Sequence, residues 1–122
     1  MIKGIYASVV VDDLQAAQTW YERILARPVD ATPMDGLLEW HFTETGWLQV
    51  IRIAEVRAIQ HLPQWGAAGS STVALVVDRI ETHLALARAG GTVPVTEYSS
   101  NKFKTATIAD PCGNLITFVE LS

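Results

Sequence analysis

VVVDDLQAAQTWYERILA (residues 9–26) and ALVVDRIETHLALARAGG (residues 74–91) follow one plan. Each is a short β-branched run, then an Asp able to cap a helix, then about three turns of amphipathic helix. Aligning Asp13 with Arg79 brings strand and helix of both copies into register. A βα repeat within one chain predicts a duplicated fold with pseudo-twofold symmetry, with its ligand site between the halves.

Outward from the first copy, residues 5–11 read as a buried strand. Asp12 and Asp13 supply the N-cap, and Leu14, Ala17, Tyr21 and Ile24 form a helical stripe widened by Trp20 and Leu25. Arg27-Pro28 ends the helix, since proline cannot continue it. Residues 37–42 and 47–53 are strands joined by the turn Thr43-Glu44-Thr45-Gly46, and 29–32 is a weak further strand. The second copy begins with a strand at 72–77 and a cap at Asp78. Ile80, Leu84 and Ala87 make its stripe, and Gly90-Gly91 its stop. Strands at 93–98, 103–108 and 115–121 complete it, the last two joined by Asp110-Pro111-Cys112-Gly113-Asn114. The pattern predicts an α+β fold: two tandem βαβββ modules forming a curved, cup-shaped mixed sheet with helices on its outer face. Residues 1–122 form a single domain, with module one at about 1–54, a connection at 55–71 and module two at 72–122. The connection carries Pro63, Gly66 and Gly69, with a short helix expected at 56–61. It packs on the surface as a linker, or folds Leu62 and Trp65 over a pocket as a lid.

Composition narrows the function. The chain has 122 residues, 49% apolar and 18% charged, which fits a folded domain and not a disordered one. Net charge is −4 with no Lys or Arg run, which argues against nucleic acid. Apolar runs are strand-length, so no membrane partner is expected, and the N-terminus does not read as a signal peptide. A single cysteine, Cys112, has no internal disulfide partner; these features predict a cytoplasmic location.

The segments Val11-Asp12-Asp13-Leu14, Trp20-Tyr21, Val77-Asp78 and Asp110-Pro111-Cys112-Gly113-Asn114-Leu115-Ile116 carry a further likeness. Together the chain resembles the vicinal oxygen chelate superfamily, which includes glyoxalases, extradiol dioxygenases, fosfomycin-resistance enzymes, methylmalonyl-CoA epimerases and bleomycin-resistance proteins. Its metal enzymes hold a divalent ion on four strands, and by that resemblance the four positions here are Tyr6, Gln49, Thr72 and Thr117. Two hydroxyls, an amide and a phenol bring no negative charge at neutral pH, so no metal and no other cofactor is expected. Glu120 lies three residues beyond Thr117, and strand alternation turns it to the opposite face.

Alternation also sets the lining of the cup. Tyr6, Ser8, Trp47, Gln49, Thr72, Phe103, Thr105, Thr107 and Thr117 are the candidate ligand-binding residues. Glu39 and His41 share that face, two apart on one strand, and are candidate acid–base catalysts; an exposed polar pair on a strand rim is the plainer reading. Trp40 belongs to the face under a helix, as do Trp20 and Tyr21. His61 and His83 read as solvent-facing, and Cys112 as a surface thiol. A metal-free protein holding a small aromatic or planar organic ligand is the leading expectation, as a homodimer by the resemblance. An enzyme on the same fold (a lyase, isomerase or dioxygenase, through Glu39 and His41 or a non-standard metal site) and a dimeric regulatory module without a ligand are the alternatives.

Overall fold

The computed structural model describes residues 1–122. The chain runs β1 (Ile5–Val11), α1 (Leu14–Leu25), β2 (Leu37–His41), β3 (Gly46–Arg52), α2 (Ile53–Gln60), β4 (Thr72–Val76), α3 (Ile80–Ala89), β5 (Thr96–Ser99), β6 (Phe103–Ala109) and β7 (Leu115–Leu121). This is an α+β arrangement of two βαβββ-like modules. The first sheet has order β1-β3-β2, and the second β4-β7-β6-β5. In each, the strand before the helix pairs in parallel with the last strand of its module, and the remaining pairs are antiparallel. The weak strand expected at 29–32 shrinks to one bridge, Ala31 to Glu39. The strand expected at 93–98 starts only at Thr96, because Pro94 has no N–H to give a ladder.

One apolar core spans both modules. Val9, Val11, Trp40, Leu48 and Val50 from the first sheet meet Val73, Ile108, Ile116 and Phe118 from the second, with Tyr21, Ile24 and Leu84 from α1 and α3 between them. Alternation then leaves the even residues of β1 and the odd residues of β2 and β3 on the face away from α1.

A buried polar hub fastens the modules together. The Asp110 carboxylate accepts the N–H groups of Cys112, Gly113 and Asn114 through Oδ1, and the Tyr21 hydroxyl at 2.7 Å through Oδ2. The Asn114 side chain donates to Val10 O and accepts from Ser71 N. Val10 is also reached by Gly69 N and Ser71 Oγ, so β1 and the start of β4 are joined at this end only. Gly69 is required there: its φ is +86°, and a Cβ would run into the Cys112 carbonyl.

The helix caps differ in an informative way. Asp13 caps α1, accepting Ala16 N at 3.1 Å. Asp78 does not cap α3; the cap position is Arg79, and the Ile80 N–H is taken by Glu120 Oε1 at 2.9 Å from β7. Two further expectations are corrected. His83 is not solvent-facing: its ring stacks on Phe118 and its Nδ1 lies 2.7 Å from Ile24 O, tying α3 to the end of α1. Trp20 is half-buried, not core, and its Nε1 donates to Thr92 Oγ1. His61 is exposed at the end of α2, which starts earlier than expected, at Ile53.

Candidate functional site

The first sheet presents three cross-strand rows on the face away from α1, each fixed by pairing register. The innermost is Val10, Ile51 and Leu37, buried beneath Ile53, Val56 and Ala68 of α2 and the connection. The connection thus covers one end of this face through α2, whereas Leu62 and Trp65 themselves are exposed. Arg57 holds the loop down by donating to the carbonyls of Trp65 and Gly66.

The middle row, Ser8, Gln49 and Glu39, is a hydrogen-bonded chain. Ser8 Oγ donates to Gln49 Oε1 at 3.1 Å, and Gln49 Nε2 donates to Glu39 Oε2 at 3.2 Å. Glu39 is only 6% exposed, and its other oxygen lies 3.1 Å from His41 Nε2. A buried carboxylate needs such partners, and an acceptor at Nε2 places the imidazole proton there, leaving Nδ1 as the acceptor.

The outer row is aromatic. Tyr6, Trp47 and His41 are register partners on β1, β3 and β2, and their rings stack. Tyr6 and Trp47 have centroids 4.9 Å apart at 7°, and His41 and Trp47 3.5 Å apart at 16°. Both faces of the indole are therefore covered from within the chain, and Trp47 Nε1 donates to Thr43 O. The ring left open is Tyr6, half-exposed, beside a shallow depression of about 350 Å³ that Lys3 and Glu44 also line. Outside the rows, the Asp30 carboxylate accepts His41 N at 2.6 Å and pairs with Arg27; these contacts hold its carboxyl below the usual range.

On the second sheet, Thr107 and Thr117 hydroxyls meet at 2.8 Å, and Thr105 lies across from Val119. Phe103 packs beside Tyr98, a ring sequence reasoning passed over although it stands opposite Thr105 in the register. Thr72 is exposed on the edge strand β4. Thus the structure brings Tyr6, Ser8, Glu39, His41, Trp47 and Gln49 together on one sheet and Phe103, Thr105, Thr107 and Thr117 on the other. No hydrogen bond or ring contact joins the two groups within one chain.

The donor chemistry at Tyr6, Gln49, Thr72 and Thr117 does not fit a divalent ion. The set carries no carboxylate, imidazole or thiolate, Gln49 Oε1 is engaged by Ser8, and Thr117 by Thr107. Glu120 faces α3, as its capping bond requires. No group of three or more His, Cys, Asp or Glu side chains converges elsewhere. Burial pushes the Cys112 thiol up, which disfavours the nucleophilic thiolate.

No protein-family model and no curated protein matches the sequence. Solved structures do match over the full length. A glyoxalase/bleomycin resistance protein from Catenulispora acidiphila DSM 44928 is 24% identical, with a TM-score of 0.78 and 98% of each chain covered. A lactoylglutathione lyase from Agrobacterium tumefaciens is 18% identical, with a TM-score of 0.75 over 95% of this chain and 91% of that one. An antibiotic binding protein from Streptomyces sp. CB03234 is 19% identical, with a TM-score of 0.74 over 98% and 95%. At these identities the likeness is one of fold alone, the fold these glyoxalase/bleomycin resistance, lyase and antibiotic-binding proteins share.

Proposed function

We propose that the protein is a cytoplasmic, metal-free binder of a small planar organic molecule, held on the inner face of the first sheet. The observation that carries this reading is the conjunction of an aromatic row with a hydrogen-bonded polar chain. Tyr6 offers an open ring continuous with the stacked Trp47 and His41, while Ser8, Gln49 and Glu39 keep spare lone pairs and one spare amide N–H beside it. Stacking plus a few directed hydrogen bonds is how an organic ligand is oriented without a metal. The antibiotic binding protein with the same fold lends support by analogy of fold alone.

A second copy completes the site in this proposal. The second sheet leaves Leu115, Tyr98 and Leu121 exposed in one chain, an apolar surface that suits burial in a homodimer. The whole chain acts as one domain.

The Glu39–His41 contact favours a second reading, an enzyme. A buried carboxylate bound to Nε2 leaves Nδ1 as a proton acceptor, the arrangement of a general base. Screening neutral bicyclic and tricyclic aromatic compounds by tryptophan emission, with and without chelator, tests the binding reading. Saturable quenching that chelator leaves unchanged supports it, and product formation from a bound compound that Glu39→Gln abolishes favours the enzyme.

A further inference from the structure

A second cavity lies at the seam end of the same strands, and Trp47 of the ring row is among the residues that line it. Ala7 and Leu48 alternate with the ring-row residues, so their side chains point away from that row, toward the layer of α1. The helix runs back along β1 and stops at Leu25, with Ala26 in the left-handed conformation ahead of Arg27-Pro28. Past that stop nothing covers the end of the sheet. A groove of about 530 Å³ remains between the first sheet and β4, floored by Leu25, Leu48 and Leu75 and bounded by Phe42. Ile5 and Val76 stand at its rim, 74% and 68% exposed.

Two properties define what fits. Ten of the twelve lining residues are apolar and none is charged, so a charged ligand would lose its hydration with nothing to pair against. The groove is nonetheless not without polar groups. Leu115 N binds Ser71 O and Val77 N binds Val119 O, so the odd residues of β4 carry its ladder to β7. The main-chain N–H and C=O of Ala74 and Val76 therefore point to the free edge, into the seam toward β1, where no strand pairs with them. A volume within the ~300–1,000 Å³ of small-molecule sites, an apolar floor and a few main-chain hydrogen-bonding groups together make a ligand cavity.

We infer that this seam groove, which borders the ring row at Trp47 and excludes Tyr6 and His41, is a second ligand site that takes a neutral, largely apolar small molecule carrying one hydrogen-bonding group. N-phenyl-1-naphthylamine, an uncharged three-ring fluorophore with a single N–H, twisted about its amine bridge and so unlike the planar compounds suited to the ring row, is a suitable probe. It binds the wild-type protein saturably at one per chain with a rise in emission. Val76→Glu sets a carboxylate on the exposed rim and weakens binding at least tenfold; Ala74→Trp fills the groove and does the same. Tyr6→Ala, at a ring that does not line the groove, keeps binding within twofold. Absence of saturable binding to the wild-type protein, or full binding by both groove variants, overturns the inference. Loss in Tyr6→Ala equal to that in the groove variants overturns it too, by moving the dye to the ring row.

Discussion

The indole of Trp47 and the imidazole of His41 lie face to face, ring centroids 3.5 Å apart, because the two residues are register partners across β2 and β3. Tyr6 covers the other indole face. Trp47 is thus the fixed centre of the row and Tyr6 its accessible end.

Trp40 and Trp47, seven residues apart, occupy opposite faces, and their truncations differ accordingly. Trp40 is fully buried, so Trp40→Ala costs roughly 3 to 5 kcal/mol in urea unfolding. Trp47→Ala costs less stability, removes much of the quenchable emission and disorders the row on which a ligand docks. Trp20→Ala also costs less than Trp40→Ala, since Trp20 is half-buried.

Glu120 and not Asp78 caps α3, and the two substitutions separate cleanly. Glu120→Ala lowers stability by about 0.5 to 2 kcal/mol, the scale of a lost N-cap. Asp78→Ala leaves the unfolding midpoint unchanged within measurement. The reverse ranking would mean that Asp78 takes over the Ile80 N–H in solution.

Tyr21 gives an alkaline signature. Burial first, then the Asp110 carboxylate, push its phenol far above its ordinary value of 10.0. The unfolded phenol ionises near that ordinary value while the folded one keeps its proton. Its contribution is therefore complete below about pH 10 and lost as pH rises above it. Tyr21→Phe removes this part of the alkaline fall. It also costs about 1 to 3 kcal/mol at neutral pH by depriving buried Asp110 of a donor. Matched alkaline slopes in the two proteins would contradict this.

Much of the fold was legible because hydrophobic period and punctuation agree along the chain. The β-branched runs, Arg27-Pro28 and Gly90-Gly91 set the strands and helix ends, and alternation alone puts Trp40 and Trp47 on opposite faces. Long-range contacts were not legible. Nothing near Asp78 reveals that Glu120, forty residues from Ile80, reaches its N–H first. His83 reads as a surface residue until Phe118 and the end of α1 come beside it. At the candidate site, sharing a face was readable from alternation. The stacking of Tyr6 on Trp47 depends on the parallel register of β1 with β3, which no local signal encodes.

A homodimer is the expected state in solution, read by sedimentation equilibrium at micromolar concentration. Leu115→Glu or Tyr98→Glu, on the exposed face of the second sheet, shifts it toward monomer. A wild-type protein sedimenting at the 13.4 kDa of one chain contradicts that expectation.

The affinity ratio between wild-type protein and Tyr6→Ala, for whichever planar aromatic compound the screen shows to bind tightest, tests binding at the ring row most directly. Tyr6 is half-exposed, so its truncation should leave the unfolding midpoint nearly unchanged and weaken binding about tenfold, or about 1.4 kcal/mol. Equal affinities in the two proteins, or no saturable binding to the wild type by any planar compound, would contradict it.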